Sequence, residues 1–236
     1  MAPTVVLIHG AFAENASWND VIDPLHDQGL HVIAAGNPLR SVAGDAAAVS
    51  DLVATIDGPV ILVAHSYGGM VATNVRAPAG KIAGVVYVAA FAPDAGESAF
   101  SLAGLFPGST LGDALTPVPR SDGTTDLYIT PEKFHGQFAA DLPPEVTQRM
   151  AATQRPATQE ALLEPSGDRP LWRDVPSWFL FGELDRNIPA ALEHHMAERA
   201  HARRTIEVPG ASHAVGISHA LATAHLVAEA AAVPVA

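Results

Sequence analysis

Cysteine is absent from the chain, so neither a disulfide nor a thiolate metal site can contribute, which suits a reducing compartment. Basic residues are scarce: thirteen lysines and arginines stand against twenty-five aspartates and glutamates, for a formal charge of −12. A surface that tracks phosphates is not expected on that balance, and nucleic acid is a poor partner. No apolar run approaches membrane-spanning length. Met1-Ala-Pro-Thr4 leads directly into an apolar strand pattern, without the basic flank, long apolar run and cleavage site of a signal peptide. A cytoplasmic protein with no membrane partner is therefore expected. The sequon Asn15-Ala16-Ser17 carries no meaning in that setting. Also missing are a phosphate-binding glycine loop and a dinucleotide fingerprint. Glu193-His194-His195 lacks HExxH spacing, and adjacent helical histidines project about 100° apart, too divergent to clasp one metal easily. No cofactor and no metal are expected.

What is present is apolar bulk. The 236 residues are 48% apolar, enough for a large core, and read as one globular domain over 1–236. Short runs rich in β-branched residues span Thr4 to Ile8, Leu30 to Ala35, Val60 to Ala64, Ile82 to Ala89, Ser177 to Phe181 and Thr205 to Val208. Stretches with helical spacing alternate with them: Asp45 to Ile56 with Asp45 as its cap, Met70 to Arg76, Ala190 to Ala200 and Ile217 to Ala232. This alternation predicts an α/β fold, a mostly parallel sheet of about six strands with helices on both faces. The rhythm breaks from Phe91 to Pro176, where eleven of the nineteen prolines fall and where only short helices and irregular turns are expected. That segment, about 91–176, reads as an inserted cap over the carboxyl edge of the sheet. Its Phe100, Leu102, Leu105, Phe106, Phe134 and Phe138 are candidates for a small core of its own or for a pocket lining.

The run from Val60 to Gly69, VILVAHSYGG, carries a buried strand straight into a serine flanked by small residues. A serine hydroxyl is a weak nucleophile and needs both a base within reach and donors for the oxyanion that its attack creates. A sharp turn between strand and helix meets both needs. It lifts Oγ above the sheet and leaves the next N–H free at the helix N-terminus, where the dipole favours negative charge. Such a turn crowds the positions two before and two after Ser66, which here are Ala64 and Gly68. Ala64 departs by one methyl group from the usual GxSxG. An ordinary loop serine after a buried strand is the bland alternative; the strand before, the helix after and the partners downstream favour a nucleophile.

Those partners must come from the ends of later strands, since only the carboxyl edge faces the same cleft. Among eleven histidines, His213 in Pro209-Gly-Ala-Ser-His-Ala-Val215 sits in a loop just after the final strand, where an imidazole can reach Ser66. His219 and His225 fall in the last predicted helix, His194, His195 and His201 in or just after the preceding one, and His26 and His31 at the far edge. His65 reads as structural, and His135 in the cap is the other histidine placed to meet substrate. For the acid, Asp185 lies in the loop after the penultimate strand, where a carboxylate can accept the imidazole Nδ1–H and fix its tautomer. Asp185 is preferred over Asp94, just past the fourth strand, and over Glu183 at the strand end.

Together these residues resemble the α/β-hydrolase superfamily, in the order Ser66, Asp185, His213 in which that family carries its triad. The resemblance covers nearly the whole chain. It implies the α/β-hydrolase fold, with 91–176 as the family's cap. His9-Gly10-Ala11 looks like the family's oxyanion loop, so the implied donors are the backbone N–H groups of Ala11 and Tyr67. The small-residue loop and Trp18 are similar to the branch holding plant methylesterases and hydroxynitrile lyases. Those lyases carry a threonine after the oxyanion-loop histidine and a lysine after the catalytic histidine; here stand Gly10 and Ala214. Without the lysine charge that would receive cyanide, ester hydrolysis is favoured. Related dehalogenases use an aspartate nucleophile, which Ser66 excludes. The expected reaction is hydrolysis of a small or medium carboxylic ester, a small-molecule substrate, through an acyl-enzyme. Carbon–carbon bond hydrolysis, cofactor-free oxygenation of a heteroaromatic ring, and a ligand receptor with weak hydrolase activity remain open alternatives.

Overall fold

A computed structural model describes residues 2–233. Its first half runs β1 (Thr4–Ile8), α1 (Asn19–Asp27), β2 (Val32–Ala35), α2 (Val42–Thr55), β3 (Val60–Ser66), α3 (Gly68–Asn74) and β4 (Ile82–Ala90). A middle segment follows with α4 (Ala99–Ala103), α5 (Leu111–Ala114), β5 (Leu115–Pro119), β6 (Thr125–Ile129), α6 (Pro131–Phe138), α7 (Pro144–Thr153), β7 (Ala157–Thr158) and α8 (Gln159–Leu163). Then come β8 (Ser177–Gly182), α9 (Ala190–Arg199), β9 (Arg204–Val208), α10 (Val215–Ser218) and α11 (Ala220–Ala231).

Six strands form one parallel sheet in the order β2-β1-β3-β4-β8-β9. Every residue of β3 and β8 is buried, as befits strands covered on both faces, and this is why they read as unbroken apolar runs. Right-handed crossovers fix the sides. From β1 the chain moves one way to β2 through α1, whereas from β3, and again from β8, it moves the other way through α3 and α9. α1 therefore lies on one face, where α11 packs beside it, and α2 and α3 lie together on the other. The direction of travel reverses between β1 and β3. Their following loops diverge there and leave a crevice at the carboxyl edge, the position at which open α/β sheets bind ligands.

The sheet strands match the expected runs to within one or two residues. Three features differ. α1 was not expected: it is polar and holds Pro24 in its interior, two signals that argue against a helix until Val21 and Leu25 are seen buried against the core. α2 begins three residues earlier than Asp45, and its cap is Ser41, whose hydroxyl accepts the Gly44 N–H at 3.0 Å; Asp45 is buried in the first turn instead. The expected final helix is two helices, α10 and α11, broken at His219.

In the middle segment, short helices occur as expected, but β5, β6 and β7 also form an antiparallel sheet. Pro117 and Pro119 sit in β5, which pairs on one side only, so their missing N–H groups interrupt no ladder. Phe134 and Phe138 are buried and stacked, with ring centroids 5.0 Å apart. Leu102 is buried too, whereas Phe100 and Leu105 are 69% and 53% exposed and belong to no core.

Candidate active site

Ser66 ends β3 with φ of 54°, in the left-handed region that a non-glycine residue occupies only under constraint, at a cost of about 1–3 kcal/mol. The register of β3 against β4 shifts between His65 and Ser66, so the strand breaks at the serine and α3 starts two residues later. Close packing holds this turn. A Cβ on Gly68 would lie 2.6 Å from the Ile8 carbonyl oxygen, and one on Gly10 would lie 2.5 Å from the Ser66 Cβ. The second contact bears on chemistry: a threonine cannot replace Gly10 unless the serine turn or the loop after β1 shifts.

Loops after β8 and β9 bring two further groups to the same edge. His213 Nδ1 lies 2.6 Å from Asp185 Oδ2, and both side chains are fully buried. The other carboxylate oxygen, Oδ1, accepts the N–H groups of Asn187 at 2.7 Å and Ile188 at 2.9 Å. Asp185 is thereby fixed as an acceptor on both oxygens, so Nδ1 is the donor and a neutral imidazole presents its lone pair at Nε2. That Nε2 is buried and has no hydrogen-bond partner among the described residues; no bond to Ser66 Oγ is formed. His213 is held from behind, where its carbonyl accepts Nε2–H of His65 at 3.1 Å, with the two rings 4.7 Å apart. Phe138 stands edge-on to His213 at 4.9 Å.

The N–H groups of Ala11 and Tyr67 donate to no acceptor among the described residues, while the N–H of Phe12, next to Ala11 in the chain, is taken by the Arg155 carbonyl at 2.9 Å. His9 and His65 are both neutral near pH 7. Burial lowers His9 to about 4, and burial together with His213 lowers His65 to about 3. Tyr67 points away from the edge into the core, where its hydroxyl donates to Asp45 Oδ2 at 3.0 Å and ties the serine turn to α2. Asp94 is occupied elsewhere, paired with Arg173 at 2.6 Å, and Glu183 is exposed, accepting the Gly210 N–H at 2.9 Å. His135 meets Thr147 at 3.2 Å in a separate cleft between α6 and α7.

Two spaces lie beside the site, and neither is lined by Ser66, Asp185 or His213. A pinched void of about 10 Å³ lies among Trp18, His65, Phe138 and Ala214. Ser17 and Ile217 line both this void and a wider cleft of about 390 Å³ walled by Phe12, Ala13, Met150 and Gln154. A model of the family described as "Alpha/beta hydrolase family" matches residues 5–230. The chain belongs to the alpha/beta hydrolase family. Its sheet and helices are the α/β-hydrolase fold. A polyneuridine aldehyde esterase superposes with a TM-score of 0.79 over 97% of this chain and 99% of its own, at 19% identity. A pyrethroid hydrolase from Sphingobium faniae JZ-2 superposes with a TM-score of 0.75 over 99% of both chains, at 21% identity. In sequence, the chain is 35% identical to a carbendazim hydrolyzing esterase from Nocardioides sp. (strain SG-4G) over 41% of its length. That match spans 46% of the relative's length, so about half of it.

One acid near the site entered the sequence reading only as part of a failed metal motif. Glu193 of α9 is 0% exposed, and neither carboxyl oxygen has a hydrogen-bond partner among the described residues. Burial first, and the nearby Asp185 charge second, push its pKa well above the ordinary value of 4.5. Its helical spacing, on the same face as Met196 and Ala197, was the available signal. An acid raised on folding adds stability in full below its unfolded pKa and loses it as pH rises toward the folded value. Across that window, stability falls by about 1.4 kcal/mol per pH unit for this one group. Glu193→Gln, which cannot ionise, is expected to gain stability relative to the parent as pH rises from 4 to 8 in urea unfolding. A difference between the two proteins that stays constant with pH would contradict this.

Proposed function

We propose that this hydrolase cleaves a small or medium carboxylic ester through an acyl-enzyme formed on Ser66, acting as a single domain over 1–236 with residues 91–176 as its cap. The observation that carries the proposal is the buried Asp185–His213 pair, whose free Nε2 faces no competing donor at the edge where Ser66 is held at positive φ. In the reaction, His213 takes the Ser66 proton as Oγ attacks the carbonyl, and Asp185 stabilises the imidazolium. The oxyanion lies against the unpaired N–H groups of Ala11 and Tyr67. His213 returns the proton to the leaving alcohol, then activates the water that releases the acid. Proton transfer requires Ser66 Oγ to come within hydrogen-bond reach of His213 Nε2, since no bond joins them in the resting arrangement.

The names of the relatives, an esterase of polyneuridine aldehyde, a pyrethroid hydrolase and a carbendazim hydrolyzing esterase, agree with this chemistry. The small-residue oxyanion loop supports ester cleavage over cyanohydrin chemistry, because Gly10 leaves no side chain there and Ala214 supplies no charge. Among the described residues no helix is long and apolar enough to cross a membrane, and a cytoplasmic setting is part of the proposal. The test is turnover of p-nitrophenyl esters of graded chain length, together with fluorophosphonate labelling and mapping of the modified peptide. Label on Ser66 with ester turnover is expected. Turnover of ring-cleavage products or quinolones in place of esters would assign a different reaction to the same scaffold.

A further inference from the structure

The loop after β1 is hydrogen-bonded to backbone far away in the sequence. Phe12 is buried with φ of 61°, a left-handed conformation unusual for an aromatic residue, and its N–H is held by the Arg155 carbonyl at 2.9 Å. Arg155 lies in the stretch between α7 and β7, where the ladder pattern would direct its backbone elsewhere. β6 and β7 pair antiparallel, with Asp126 opposite Thr158 and Leu127 opposite Ala157. Continued by two residues, that register sets Arg155 opposite Ile129. The pairing is not made. Gln154 instead places its side-chain amide there: Oε1 accepts the Ile129 N–H at 2.9 Å, and Nε2 donates to the Ile129 carbonyl at 2.9 Å and to the Ala151 carbonyl at 3.0 Å. A primary amide carries the same donor and acceptor as a peptide unit, so it stands in for the missing strand residue and leaves no buried group of Ile129 unpaired.

We propose that Gln154 is a positioning residue for the oxyanion loop: by substituting for Arg155 in the β6 ladder, it frees the Arg155 carbonyl to take Phe12 N–H and hold Ala11 N–H toward the serine turn. This rests on the role given above to Ala11. The stretch around Gln154 is anchored independently, since Arg40 donates to the Pro156 carbonyl at 2.6 Å and Thr158 N–H to the Leu39 carbonyl at 3.1 Å. Removing the amide thus does not release the segment; it lets Arg155 swing into the vacant ladder position and abandon Phe12.

Gln154→Met keeps the volume and removes the amide. Hydrogen exchange in the unliganded protein should show the Phe12 amide losing protection, with kcat on a p-nitrophenyl ester falling toward the loss of one oxyanion donor, about 10²–10³-fold, and KM changing by only a few-fold. Affinity for a boronic acid, which forms a tetrahedral adduct, should fall with kcat, while affinity for the product acid should not. Gln154→Glu, which keeps an acceptor for Ile129 but loses the donors, should shift the same quantities in the same direction. Thr147→Ala removes a buried hydroxyl of α7 without touching this clamp; matched for thermal stability, it should leave kcat near that of the parent. An unchanged Phe12 amide, or a released one with unchanged kcat, overturns the inference while ester turnover by the parent stands. A parent protein without Ser66-dependent turnover overturns the functional proposal, and this one with it.

Discussion

Ser66→Ala is expected to lower ester turnover by about 10⁶-fold while leaving the fold intact. The variant deletes one oxygen atom from a turn whose geometry comes from its surroundings: the β3–β4 register break, the contact of Gly10 with the Ser66 Cβ, and the packing of Gly68 under Ile8. None of these involves Oγ, which makes no hydrogen bond among the described residues. Alanine bears the same left-handed backbone strain as serine, so thermal unfolding should move by no more than about 1 kcal/mol. If Ala11 and Tyr67 are the oxyanion donors proposed above, their N–H groups and substrate binding should still supply about 10³–10⁴-fold over water, as in other triads. Steady-state turnover of a p-nitrophenyl ester by purified protein, with fluorophosphonate labelling as a second readout, measures both terms. A variant that kept most of the parent's turnover would remove Ser66 from the chemistry.

The parallel sheet was legible because its strands are buried on both faces and are therefore written as unbroken apolar runs; β3 and β8 are the clearest cases. α1 was not legible, since an interior proline and a charged face mask the two residues, Val21 and Leu25, that bury it. Asp45 illustrates a different failure. An aspartate at the head of an alanine-rich stretch has the composition of a cap, yet its carboxylate faces inward to Arg40 N–H and the Tyr67 hydroxyl, partners separated from it in sequence by 5 and 22 positions. Long-range demand outweighs local propensity there, and a single sequence records only the propensity.

The candidate site residues were readable to the extent that each sits at a strand end or in the loop that follows one. A strand followed by a short loop fixes where its last side chains emerge, which is how Asp185 and His213 come to lie together although 28 residues apart. Buried groups away from the strand ends leave no such signature. Glu193 projects from a helix interior, Phe138 from the proline-rich segment, and the Gln154 amide works by imitating backbone, so that no motif in the sequence marks it. The antiparallel sheet of the middle segment was hidden for a related reason: proline argues against a strand in general, but not against a strand whose second edge is free.

Asp185→Asn should reduce turnover by about 10⁴-fold, and the hydrogen bonds around the side chain say why. The Asn187 and Ile188 N–H groups converge on Oδ1, and only an acceptor can satisfy them. In the variant the amide oxygen must therefore occupy that position, which turns the amide NH2 toward His213. Nδ1, now facing a donor, gives up its proton and becomes the acceptor, so the proton of a neutral ring moves to Nε2. The lone pair that would take the Ser66 proton is then gone, although every residue stays in place. Asp94→Asn is the matched comparison: Asp94 is paired with Arg173, a half-exposed side chain, and its loss should alter turnover by no more than a few-fold. Equal losses from the two variants would remove Asp185 as the sole acid of the proposed triad, and a larger loss from Asp94 would move that acid to the loop after β4.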